Sequence, residues 1–236
     1  MIIELNYLIA LFAFGAGLLL YGKGKDYMNA AKFMWFFAAA ALLGGIVHHI
    51  ELRSNELTTI MAVINTKLPC FLTPLQFDLT KERLWYVTVE AIGFAEFYFM
   101  FLFIEPVLDE NLHFVKRYLQ CILGIYIFIT TIISTQYFFV VVFHLFSHSI
   151  IICFALYMYF RYKIKSYLLL VALIVYNLML GVMQQLMSYK ILATGSLHYN
   201  DWYHIGLIFF IVFLFAALTR GKLVEDLQRV RHVKAN

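Results

Sequence analysis

Charge is what this chain has least of. Only 14% of its 236 residues are Asp, Glu, Lys or Arg, against roughly 25% in a soluble globular domain. Proline is scarce as well: Pro69, Pro74 and Pro106 are the three in the chain, and none interrupts a long apolar run. The three cysteines, Cys70, Cys121 and Cys153, follow no metal-ligand or disulfide spacing. Cys121 and Cys153 lie in apolar segments and read as small buried hydrophobes. A net charge of +4 is carried mostly by loops and tail and gives no nucleic-acid footprint.

Hydrophobic residues fill the space that charge leaves. They make up 63% of the chain, more than one water-soluble core can hide, so the sequence reads as an all-α integral membrane protein. A transmembrane helix needs about 20 mainly apolar residues. Seven segments qualify: residues 2–20, 30–49, 84–104, 118–134, 137–160, 167–187 and 202–218. The first carries Glu4 where a cleaved leader has a basic stretch, and no small-residue cleavage site follows it, so it reads as a span. The expected architecture is a seven-transmembrane-helix bundle over residues 1–221, followed by a short charged tail at 222–236. The fourth and fifth segments are separated by Thr135 and Gln136 and should form a tight antiparallel hairpin. The connection 52–83 has an apolar stretch too short to span, broken by Lys67, Pro69 and Pro74. It reads as an interfacial or re-entrant element.

Lysine and arginine bias sets the orientation. Threading seven spans puts Lys23, Lys25, Lys116, Arg117, Arg161 and Lys163 on one side with the basic tail. Arg53, Lys67, Lys81, Arg83 and Lys190 fall on the other, less basic side. The basic side is expected to be cytoplasmic, with the N-terminus outside and the C-terminus cytoplasmic.

Eight histidines are present, and five fall inside or at the ends of apolar segments: His48, His49, His144, His148 and His204. Ionisable groups within a bilayer are costly and by default mark function. At about 1.5 Å of rise per residue, Glu90, His144, His148, Asn200, Asp201 and His204 join His48 and His49 in the outer half of the membrane. His144 and His148 are i,i+4 neighbours on one helix face, a spacing that can place two imidazoles on one metal ion. Asn200 and His204 share that spacing. His48 and His49 differ by about 100° around their helix, so only one should face a shared centre. Asn177 and Gln184 form a polar stripe on the sixth helix. Glu96 lies near the midplane, on another face from Glu90. Each group also has a structural reading: His48 and His49 as interfacial residues, Asn200 and Asp201 as a helix cap, and His144 and His148 as interhelical hydrogen-bond partners.

Two short motifs carry a resemblance. Gly45-Ile46-Val47-His48-His49 resembles the Ser-x-x-x-His motif late in the second helix of the CREST superfamily. These are seven-helix membrane hydrolases that include the alkaline ceramidases and adiponectin-receptor-like proteins. Asn200-Asp201-Trp202-Tyr203-His204 resembles their His-x-x-x-His at the start of the seventh helix. Gly45 stands where that family has serine, and Asn200 where it has the first histidine. The family's aspartate near the third helix has no clean match, and Glu51, Glu56 or Glu90 would stand in for it.

The resemblance implies a zinc-dependent hydrolase of a lipid amide, its substrate drawn from the membrane. His49 and His204 would be ligands, with a third from Asn200, His144 or His148, and Glu90 would act as base or orient the attacking water. Asp201 belongs to the same candidate catalytic set. A different class remains open: a non-enzymatic transporter or receptor with a polar cavity binding protons or a small ligand. Internal repeats and broken helices, which often mark transporters, are not evident. No lysine lies in the seventh segment, which argues against a retinal Schiff base. A scaffold whose polar groups only join helices is the third possibility.

Overall fold

The computed structural model describes residues 1–52, 77–104, 113–130, 137–190 and 198–220, together with 223 and 226. Among the described residues the regular structure is helical, as lipid demands of a spanning chain that must satisfy its own backbone. Seven α-helices lie among the described residues: α1 (Ile2–Tyr21), α2 (Met28–Leu52), α3 (Phe77–Ile104), α4 (His113–Phe128), α5 (Tyr137–Tyr162), α6 (Ser166–Ser188) and α7 (Tyr199–Thr219). All but α4 are long and apolar enough to cross a membrane. The chain is therefore a polytopic helical membrane protein. Among the described residues six helices have the length and composition of a crossing; the remaining expected one, 118–134, is only partly within the described residues.

Local chemistry explains several boundaries. Gly24 adopts φ 107°, a left-handed value that glycine takes without a Cβ clash, and separates α1 from the short 3-10 turn Lys25–Tyr27. Lys163 and Lys190, at φ 56° and 58°, end α5 and α6. His198 begins α7: its Nδ1 accepts from the Asn200 backbone N–H at 3.3 Å, while the Asp201 carboxylate accepts from the His198 N–H at 3.3 Å. This is the two-way capping arrangement that satisfies orphan donors at a helix start.

Contacts run α1–α2–α3–α5–α6–α7 and back to α1, closing a ring of six helices. The fourth helix lies outside the ring, against α3. Gly93 makes that packing possible, because a Cβ there would stand 2.2 Å from the Tyr126 ring. The Tyr126 hydroxyl donates to the Val89 carbonyl at 2.9 Å, and its ring stacks on Phe143 of α5 at 4.3 Å between centroids. The expected turn between these helices, Thr135 and Gln136, lies outside the described residues.

Two expectations change. Part of the connection placed at 52–83 is helix, since residues 77–83 continue α3; residues 53–76 lie outside the described residues. Cys121 and Cys153 are exposed rather than buried. Lipid solvates an apolar side chain as well as a protein core does, so hydropathy within a span does not predict burial. Of the expected tail, Leu223 is buried in the main core, and Ser166 at the start of α6 donates to the Asp226 carboxylate. The rest lies outside the described residues.

Candidate metal centre and cavity

The ring helices line a cavity of about 790 Å³, within the ~300–1,000 Å³ typical of small-molecule sites. All six ring helices contribute to its walls, and α4 contributes nothing. The lining is mostly apolar, with Phe33, Phe37, Phe99 and Phe210 among it. Besides Asn6, Thr88 and Gln185, the polar lining gathers into two layers. Asn177 and Gln184, seven residues apart on α6, mark them, so the layers are separated by about 10 Å along the helix.

The first layer joins three helices. Glu96 comes from α3, His144, Ser147 and His148 from α5, and Asn177 from α6. Glu96, Ser147, His148 and Asn177 are buried, and His144 is partly so. One oxygen of Glu96, Oε1, accepts from Nδ1 of His144 at 2.6 Å. The other, Oε2, accepts from the Ser147 hydroxyl and lies 3.3 Å from Nδ1 of His148. Nδ1 of His148 is also 3.0 Å from the carbonyl oxygen of His144, one turn back. The two imidazole rings are 3.8 Å apart, as i,i+4 neighbours on one helix face should be. Asn177 closes the layer, its Nδ2 lying 3.1 Å from Nε2 of His148 and 3.5 Å from Nε2 of His144.

Glu96, His144 and His148 each offer one ligand atom, and those atoms all lie within 4.8 Å of one another. Two imidazoles and one carboxylate match a donor set used by catalytic zinc sites, which keep a further position for water. Glu96, His144, His148 and Asn177 all line the cavity, so that position can be reached from it.

The second layer holds His48 from α2, Gln184 from α6, and Asn200 and His204 from α7. Gln184 donates to Oδ1 of Asn200 at 2.7 Å. Nδ1 of His204 donates to the Asn200 backbone carbonyl at 2.6 Å, and His48 lies within electrostatic reach of His204.

The sequence-derived candidates therefore separate. His144 and His148 share the first layer, and His48, Asn200 and His204 the second. His49 turns away from the cavity toward α1, where the Tyr7 hydroxyl meets its Nδ1 at 3.2 Å. Asp201 is buried at the α7 cap and does not line the cavity. Glu90 is half-buried on α3, six residues before Glu96 and also outside the lining. Glu96 is the carboxylate that meets the histidines. Its one sequence signal was its place near the midplane, where the cost of an acid is greatest.

Gly45, where the motif it resembles has serine, is not merely small. A Cβ there would sit 2.8 Å from the Tyr7 ring, so the aromatic side chain that meets His49 fills the place a serine would need.

No curated protein and no solved structure matches the chain. A family of unknown function, DUF6962, matches residues 1–223. That match covers the whole helical ring and both polar layers, and the chain belongs to the DUF6962 family.

Proposed function

We propose that this protein is a metal-dependent hydrolase embedded in the membrane, with its centre at the Glu96, His144 and His148 group and a lipid amide as its substrate. The carrying observation is the placement of three ligand-type side chains, close together, on the wall of a largely apolar cavity. A metal ion there lowers the pKa of bound water and polarises a carbonyl, which is what amide hydrolysis requires. The apolar walls suit an acyl chain, and the second layer offers hydrogen bonds to a polar head. The amide itself rests on the resemblance to the CREST hydrolases. The metal centre proposed here differs from theirs, being built from α3 and α5 instead of α2 and α7.

The test is elemental analysis of protein purified in lipid nanodiscs, together with release of fatty acid from an N-acyl lipid amide. About one equivalent of zinc and an activity lost in His148→Ala support the reading. Absence of metal together with absence of hydrolysis would sink it.

A second reading, a proton- or ligand-binding cavity without chemistry, is favoured by one observation. Glu96 and His144 are already joined at hydrogen-bond distance. It predicts pH-dependent ligand binding that is indifferent to chelators.

A further inference from the structure

We infer that the metal ion sits on the Nε2 side of the two histidines, with Asn177 as its third protein ligand and Glu96 as the group that orients the imidazoles from behind. The inference rests on the metal-centre reading above and deepens it.

The hydrogen bonds fix the direction in which each ring faces. A carboxylate and a backbone carbonyl can only accept. Nδ1 of His144, at 2.6 Å from Glu96 Oε1, therefore carries the hydrogen, and so does Nδ1 of His148, at 3.0 Å from the His144 carbonyl oxygen. In the neutral rings, Nε2 is left as the lone-pair nitrogen on each. Both lone pairs face the same side chain, Asn177.

Distances separate the two possible ligand sets. Donors at ~2.0–2.1 Å from a tetrahedral ion are about 3.4 Å from one another. The terminal amide nitrogen of Asn177 is 3.1 and 3.5 Å from their Nε2 atoms, hydrogen-bond distances that also bracket that spacing. Glu96 Oε1 and His144 Nδ1, at 2.6 Å, are spaced for a hydrogen bond and would have to part before sharing an ion.

Asn177 presents its nitrogen to the histidines, while its Oδ1 is buried with no hydrogen-bond partner. Turning the amide over would place Oδ1 toward both lone pairs. An ion held there would be shared by three acceptors, the two Nε2 atoms and Oδ1, whereas Oδ1 now has no partner. Metal-bound histidines commonly donate their other N–H to a carboxylate or a backbone carbonyl. Glu96 and the His144 carbonyl supply both. Three neutral ligands also leave the ion its full charge as a Lewis acid, with Glu96 balancing one unit from outside the ligand shell.

The test is Co²⁺ titration of the full-length protein in nanodiscs, read by the visible absorption of the ion. Wild type should show the intense bands of a tetrahedral site. Glu96→Gln should keep those bands with affinity lowered about ten- to a hundredfold, the cost of losing an orienting partner. Asn177→Leu should lose them. Asn177→Asp, nearly the same shape with a stronger oxygen donor, should keep them and bind at least as tightly, which guards against reading a folding defect as a lost ligand. If Glu96→Gln abolishes binding while Asn177→Leu leaves the spectrum unchanged, Glu96 is the ligand and this assignment fails while the metal centre stands. If wild type takes up no ion, both fall.

Discussion

Glu96 Oε1 and His144 Nδ1, 48 residues apart in the chain, meet at 2.6 Å and tie α3 to α5 across the helix ring. The same carboxylate takes the Ser147 hydroxyl on its other oxygen. One side chain thus satisfies donors from two turns of the neighbouring helix. Replacing it with leucine leaves His144 Nδ1 without its acceptor, at about 1–3 kcal/mol, while the Ser147 hydroxyl keeps the His144 carbonyl at 2.9 Å. Glu96→Leu should therefore lower the thermal unfolding midpoint well below that of wild type, and Glu96→Gln should recover part of the loss. Equal midpoints for Glu96→Leu and wild type would mean that the contact carries no stability.

Metal binding should stabilise the folded protein by mass action. A ligand at a hundred times its dissociation constant contributes about 2.7 kcal/mol. Treating the purified protein with a strong chelator should lower its unfolding midpoint, and adding back zinc should restore it. The same treatment applied to His144→Ala/His148→Ala should change nothing.

The second polar layer is expected to act on the ligand and leave the metal alone. His204→Ala and Gln184→Leu remove groups about 10 Å from Asn177 along the bundle. Both variants should bind metal as wild type does and show their defect in apparent substrate affinity. Loss of metal in either variant would join the two layers into one site.

Two glycines should respond oppositely to added bulk. At Gly45 a Cβ would stand 2.8 Å from the Tyr7 ring. Gly45→Ser should destabilise by about 1–3 kcal/mol through overpacking, and Tyr7→Ala should relieve it in the double variant. Gly181 lines the cavity, with nothing within 4 Å of an added Cβ. Gly181→Leu should leave stability within about 0.5 kcal/mol of wild type while reducing turnover of long-chain substrates. Unfolding curves and chain-length profiles of the two variants check both halves.

Part of the site was legible in the sequence. His144 and His148 declare themselves by spacing, because i,i+4 residues share a helix face whatever the helix packs against. Asn177 and Gln184 do so too, and both line the cavity. The choice between Glu90 and Glu96 was not legible. Both lie on α3, six residues and about 240° apart around it, and which one meets α5 depends on how α3 is turned. His48 and His49 pose the same problem at about 100°. Motif alignment favoured His49, but Tyr7 of α1 engages it and leaves His48 to the cavity.

The sequence by itself determined the class of protein and where six of its long apolar helices lie, because the need to solvate apolar side chains and satisfy every backbone group in lipid is a local constraint, met segment by segment. It also determined that ionisable residues lie within those helices. Only the tertiary structure decided which of them meet. The rotation of each helix about its axis is set by packing against its neighbours, by contacts such as Tyr7 against Gly45 and Tyr126 against Gly93. Those contacts join residues distant in the chain, and hydropathy carries no record of them.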